Sequence, residues 1–205
     1  MYDGIATSHI NLNALRNNIT IIPQQPELLS GSVRDNLDPF GEYDDAVLND
    51  ALRASGLNHV QAEEADEMIT LDSSVSSGGS NFSLGQRQIL SLARAICRQS
   101  KVLILDEATA AIDHHTDSLI QNSIRNELKD VTVITVAHRL KTIGDSDKII
   151  VLDGGKLVEF DSPANLLRKE NGYYKSLVDQ SGEKKEMYLM AGIDLTKHHG
   201  WFSKG

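Results

Sequence analysis

The chain has 205 residues, 40% of them hydrophobic, and a formal net charge of −9. That is enough for one folded core, and the acidic balance argues against non-specific nucleic-acid binding, which needs clustered Lys and Arg. Its one cysteine, Cys97, excludes an intrachain disulfide and fits a reducing compartment; no run nears the roughly 20 apolar residues of a membrane span, and the first residues carry no signal pattern.

Three short runs are apolar on both faces, as buried parallel strands are: Ile19 to Ile22, Val102 to Leu105, and Val131 to Val136. The first leads into Pro23-Gln24-Gln25-Pro26, which sets an amide side chain just past a strand end, where its oxygen has the chemistry to meet Mg²⁺. A turn glutamine is the plainer alternative. Asp44 is placed to cap a helix with the stripe Val47, Leu48, Ala51 and Leu52, and Gly56 to end it.

Asn81-Phe82-Ser83-Leu84-Gly85-Gln86-Arg87-Gln88 opens a second helix, running to about Gln99 with Ile89, Leu92, Ala93 and Ile96 on one face. Ser83 and Gln86 fit a capping box. The same helix start offers free N–H groups and the positive end of the dipole, with Gly85 allowing close approach, which suits a phosphate. Capping and phosphate recognition are compatible.

The strand from Val102 ends in Asp106-Glu107. Ligands in open parallel sheets bind at the carboxyl ends of strands, and successive strand residues point to opposite sides. The pair therefore divides its roles: Asp106 to hold Mg²⁺ through water, Glu107 to polarise an attacking water as general base. A solvated strand end is the alternative.

A third helix is expected over about Thr116 to Lys129, with Ile120, Ile124 and Leu128 inward. The next strand runs into Ala137-His138-Arg139, so His138 would share a sheet edge with Asp106 and Glu107, able to contact a terminal phosphate or hold water in line; a structural histidine is the commoner case. Lys148 to Leu152 and Lys156 to Phe160 form an expected hairpin about Asp153-Gly154. Ser162-Pro163 starts a final helix with Leu166, Leu167, Tyr173, Tyr174 and Leu177 for packing. Residues 1–180 read as one domain and 181–205 as a loosely ordered tail, in which His198 and His199 lack a third metal ligand.

The order of these motifs carries the most weight. A strand ending in Gln24, a Ser-x-Gly-Gln helix start, a strand ending in Asp-Glu and a strand ending in His resemble the Q-loop, signature, Walker B and H-loop of an ABC transporter nucleotide-binding domain, over roughly Tyr2 to Gln180. Ala110-Ala-Ile-Asp113 is similar to its D-loop, where Asp113 would couple two sites of a dimer. Leu28-Leu-Ser-Gly-Ser-Val-Arg-Asp-Asn-Leu-Asp-Pro-Phe40 and Asp106-Glu-Ala-Thr-Ala-Ala-Ile-Asp113 resemble the second such domain of the C-subfamily, the multidrug-resistance-associated exporters. Leu84 stands where the usual signature has its first glycine, a departure also typical of that domain, which implies a looser fit around phosphate.

The resemblance implies an α/β fold: a partial P-loop NTPase-like parallel sheet, a helical subdomain, and a C-terminal β-hairpin plus helix. It implies ATP and Mg²⁺ as ligands, a second nucleotide-binding domain and the transmembrane domains of a transporter as partners, and no nucleic acid. The chain would sit at the cytoplasmic face of a membrane through its parent transporter, and be soluble and cytoplasmic if expressed alone. Gln24, Asp106, Glu107 and His138 would serve one ATP site; Ser83, Gly85 and Gln86 would touch ATP held by the partner domain.

One motif of the family is absent. A P-loop needs Gly-x-x-x-x-Gly-Lys-Ser/Thr, whose amides wrap phosphate. The only Gly-Lys pair, Gly155-Lys156, precedes Leu157 and lies five residues after Ile150, within the expected hairpin. Met1-Tyr-Asp-Gly-Ile resembles the segment that follows the P-loop helix, so the chain reads as N-terminally truncated and inactive by itself. Two alternatives stand beside the exporter-domain reading: a fragment that supplies its signature in trans to a partner ATPase domain, or a truncated gene product whose apolar surface is left uncovered.

Overall fold

The computed structural model describes residues 4–59, 68–107, 112–137 and 139–194. The chain divides into two compact units, Met1–Val136 and Ala137–Gly205.

In the first unit, strands β1 (Ile19–Ile22), β4 (Val102–Asp106) and β5 (Thr132–Val136) form a parallel sheet in the order β1-β4-β5. Ile22 is level with Leu105, and Asp106 with Val136. A small antiparallel pair, β2 (Gly31–Ser32) with β3 (Ser74–Val75), lies apart from that sheet. The α-helices that lie wholly within the described residues are α1 (Leu12–Asn18), α2 (Val33–Leu37), α3 (Asp45–Ala54), α4 (Leu84–Arg98) and α5 (His114–Glu127). Asp44 caps α3, whose Leu48, Ala51 and Leu52 are buried while Val47 stays partly exposed. Gly56 follows that helix with φ +88°, a conformation open to glycine.

Helix α4 is the centre of this unit. It contacts α2, α3, α5 and β1, and Gln88 to Ala93 are all buried, so it is apolar well beyond one stripe. Ile89, Leu90 and Leu92 join Ile22, Leu37, Leu48, Leu103 and Leu105 in one core. Cys97 is buried at its far end, and burial pushes its thiol up to about 11, which keeps it protonated and unreactive at neutral pH. Arg94 enters the same region, donating from Nε to the Asn36 carbonyl (2.6 Å) and from a terminal nitrogen to Asn36 Oδ1 (3.1 Å). Asn36 in turn donates to the carbonyls of Leu29 and Ser32.

The expectation that the strands are buried on both faces is corrected on one side. Thr20, Ile22, Leu103 and Leu105 face the core, but Ile21 is 60% exposed, Ile134 48% and Val136 49%. Ile21, Ile104 and Ile134 are level across the three strands, so the exposed residues belong to one apolar sheet face. The run of apolar letters reported a sheet built for two covering layers; only the packing reveals which face has one.

In the second unit, β6 (Ile149–Asp153) and β7 (Lys156–Asp161) form the expected antiparallel hairpin. Its turn is one residue later than anticipated: Gly154 and Gly155 hold φ +54° and +73°, the pair of positive values that a tight two-residue hairpin requires, and Asp153 stays in the strand opposite Lys156. The single final helix becomes two, α6 (Pro163–Arg168) and α7 (Tyr173–Gln180). Asn171, in the left-handed region at φ +60°, breaks the run. The break rotates α7, so Tyr174 and Val178 are buried while Tyr173 and Leu177 are about half exposed. Glu159 supplies the cap that Gly172 cannot, its carboxylate accepting the Tyr174 N–H at 2.9 Å.

A further helix, α8 (Lys184–Met190), occupies part of the segment expected to be a loose tail. Met187 and Tyr188 bury in the core of Ile149, Leu166, Leu167, Tyr174 and Val178, which is what orders it. Residues 195–205, with His198 and His199, lie outside the described residues.

Asp161 gives this unit an acid limit. Its carboxylate accepts from the Ser162 N–H (2.8 Å), Asn165 Nδ2 (3.1 Å) and Lys148 Nζ (3.2 Å), and these bonds hold its pKa down to about 2, against 3.8 for a free aspartate. The ionised form is thus favoured by folding. Its contribution is complete above about pH 4 and is lost as pH falls through about 2. Thermal unfolding followed from about pH 5 to pH 2 should show a shallower acid limb for Asp161→Asn than for the parent chain.

Candidate functional site

Gln24 lies two residues beyond β1, Asp106 ends β4, and Glu107 follows it. Because β1, β4 and β5 are parallel and in register, their carboxyl ends leave the sheet at one edge. Gln24 and Asp106 are exposed there, and Glu107 is half-buried. The Glu107 N–H still donates to the Val136 carbonyl at 3.0 Å, but its φ is +47°. A non-glycine residue in the left-handed region costs energy and turns the chain sharply. The two carboxylates therefore separate by a backbone turn as well as by strand alternation. His138 lies outside the described residues, so its expected place at this edge has no structural account.

Ser83 caps α4. Its Oγ accepts the Gln86 N–H at 3.2 Å, and the Gln86 side-chain oxygen accepts the Ser83 N–H at 2.9 Å, completing the capping box. The Arg87 N–H goes to the Ser83 carbonyl. Of the first-turn amides, those of Leu84 and Gly85 have no acceptor among the described residues. Among the described residues the Ser83 hydroxyl proton and the two donors of the Gln86 carboxamide are likewise uncommitted. Capping thus consumes acceptors and leaves donors, which is the polarity an anion needs. Asn81 orders the approach to this turn by accepting from the Ser76 N–H and donating to the Ser74 carbonyl.

Asp113 is the N-cap of α5, which starts two residues earlier than anticipated; its Oδ1 accepts the Thr116 N–H at 2.8 Å. That bond holds its carboxyl below the usual aspartate range. Asp113→Ala should cost about 1 kcal/mol of unfolding free energy, measured in urea, because the Thr116 amide loses its partner. Thr116 also touches the start of α4: a Cβ added at Gly85 would meet Thr116 Cγ2 at 3.0 Å. The two helix starts are therefore packed together, and a side chain at Gly85 would need Thr116 to give way by a few tenths of an ångström.

The candidate site thus has two parts within the first unit: Gln24, Asp106 and Glu107 at the sheet edge, and Ser83, Gly85, Gln86 and Asp113 about two adjoining helix starts. Gln88 connects them and was missed in the sequence. It is 2% exposed, and its Nε2 donates to the carbonyls of Pro23 (3.1 Å) and Gln24 (2.8 Å). A polar residue in line with Leu92 and Ala95 on the buried face was the available signal, since buried amides are almost always hydrogen-bonded.

The profile of the family described as "ABC transporter" matches residues 1–110. The chain belongs to the ABC transporter family. It is 54% identical over 172 residues to "ATP-binding cassette sub-family C member 2" of Rattus norvegicus, covering 84% of this chain and 11% of that protein. Against "ATP-binding cassette transporter abc4" of Schizosaccharomyces pombe it is 50% identical over 184 residues, 88% of this chain and 12% of that one. Against "Pleiotropic ABC efflux transporter of multiple drugs YBT1" of Candida glabrata the identity is 44% over 208 residues, 95% and 12% of the two chains. The chain thus spans about an eighth of the length of these curated relatives. The similarity to the C-subfamily agrees with the resemblance read from Leu28 to Phe40 and from Asp106 to Asp113. The α/β architecture of parallel sheet, helices and antiparallel hairpin is likewise that expected of an ABC ATPase domain. Among the described residues no helix is long and apolar enough to cross a membrane, and no cluster of three or more His, Cys, Asp or Glu is placed to hold a metal ion.

Proposed function

We propose that this ABC-family chain is part of a nucleotide-binding domain of a C-subfamily exporter, serving ATP binding and hydrolysis coupled to transmembrane transport in the whole protein. The observation that carries this reading is the in-register parallel sheet, whose common edge bears Gln24, Asp106 and Glu107. Gln24 and Asp106 offer hard oxygen donors suited to Mg²⁺, and a site of so few protein ligands is what this cation, which keeps several waters and phosphate oxygens, ordinarily takes. Bound Mg-ATP supplies the terminal phosphoryl group and its leaving group. Glu107 accepts the proton of the attacking water, and His138 holds that water in line. Ser83, Gly85 and Gln86 donate to a nucleotide carried by a second nucleotide-binding domain, and Asp113 lies at the contact between the two. That domain and the transmembrane domains are the partners, with the chain at the cytoplasmic face of the membrane.

A second reading, that the chain supplies its signature in trans without turning over ATP itself, is favoured by one observation. The only Gly-Lys pair has its glycine in the β6–β7 turn and its lysine opening β7, so no phosphate-wrapping loop of this sequence precedes a helix. The purified chain should show no Mg-ATP hydrolysis above background. It should be captured by an intact C-subfamily nucleotide-binding domain only when that domain holds ATP, and Ser83→Arg should weaken capture at least about tenfold, or 1.4 kcal/mol. Hydrolysis abolished by Glu107→Gln would overturn the requirement for a loop from elsewhere; capture indifferent to ATP and to Ser83→Arg would overturn the role of the helix start.

A further inference from the structure

We propose that Gln88 is a positioning residue that ties the helix start Ser83–Gln86 to the backbone at Pro23 and Gln24, so that engagement of a phosphate by the helix start moves Gln24. The inference rests on the reading above, in which those two groups serve different nucleotide sites.

Gln88 lies one turn into α4, on the segment whose amides start at Leu84. Its carboxamide nitrogen carries two hydrogens, and each has its own carbonyl: Pro23 at 3.1 Å and Gln24 at 2.8 Å. The residue is 2% exposed, so water cannot substitute for either bond. The segment it grips has little else to hold its polar groups. Pro23 and Pro26 have no N–H, and the exposed Gln24 side chain makes no hydrogen bond among the described residues. Ile22, paired with Leu105, holds the segment upstream, buried Pro26 and Leu28 hold it downstream, and Gln88 grips the two carbonyls between them. A helix is stiff over one turn, so a shift of Ser83–Gln86 carries Gln88 with it. The carbonyls move with their donor, and the Gln24 side chain, tied to nothing else, is re-aimed at the sheet edge.

Amide hydrogen exchange of the full chain tests this, read at Ser83–Gln86 and at Gln24, Gln25 and Glu27. The probe is an intact C-subfamily nucleotide-binding domain loaded with ATP, its own catalytic glutamate changed to glutamine. In the unmodified chain both segments should gain protection on adding the loaded probe. Gln88→Met keeps the length of the side chain and removes its donors. It should leave the probe protecting Ser83–Gln86 while Gln24–Glu27 no longer responds. Gln88→Glu, which sets a carboxylate against two carbonyls, should do the same. Protection at Ser83–Gln86 with no response at Gln24–Glu27 in the unmodified chain overturns the coupling alone, as does an undiminished response in the variants. No protection at Ser83–Gln86 overturns the functional reading itself and the coupling with it. The measurement on the unmodified chain decides the matter even where a variant fails to fold.

Discussion

Leu92→Ala should remove roughly 2–5 kcal/mol of unfolding free energy, a large share of the about 5–15 kcal/mol that holds a typical domain together. Leu92 is fully buried in the middle of α4, in the core that also contains Ile22, Leu37, Leu48 and Leu103. Truncation forfeits the transfer free energy of the lost carbons and leaves a cavity that surrounding helices and strands close only in part. With a urea slope of about 1–3 kcal/mol per molar, the midpoint should fall by roughly 1 M or more. Leu29→Ala is the control: Leu29 is 62% exposed, and its truncation should change stability by no more than about 0.5 kcal/mol. Equal effects at the two positions would mean that α4 does not occupy the core.

Gly85→Val should fail in two separable ways. A Cβ at this position meets Thr116 Cγ2 at 3.0 Å, and valine adds two further carbons to the conflict, so overpacking should cost about 1–3 kcal/mol. The same carbons shield the Leu84 and Gly85 amides from an approaching anion, so capture by an ATP-loaded partner should fall by at least about tenfold. Thr116→Ala in the same chain removes the atom struck. Unfolding in urea should then show stability largely restored, while capture stays lost, because the shielding of the helix start is unchanged. Capture restored together with stability would assign Gly85 a packing role only.

How much of this was legible beforehand depended on whether the signal was local. Asp44 and Ser83 announced their helices because a cap is a short-range hydrogen bond between a side chain and an amide two or three residues on. The β1, β4 and β5 runs announced a parallel sheet because apolar letters on both faces have few other uses. The hairpin turn slipped by one residue because Asp-Gly and Gly-Gly both tolerate positive φ, and cross-strand pairing, not the dipeptide, selects between them. Helix α1 went unnoticed, since Leu12–Asn18 buries no residue and so carries no apolar period.

The sequence by itself determined the class of fold, the order of the motifs and hence the family, because residue types at fixed short spacings are properties of the chain alone. Only the tertiary structure decided that one sheet face is apolar yet exposed, that Glu107 turns left-handed at the strand end, that Gly85 lies against Thr116, and that Gln88 grips the Pro23 and Gln24 carbonyls. Each of these joins residues far apart in the chain or depends on what covers them, and no local periodicity encodes a partner 31 or 65 positions away.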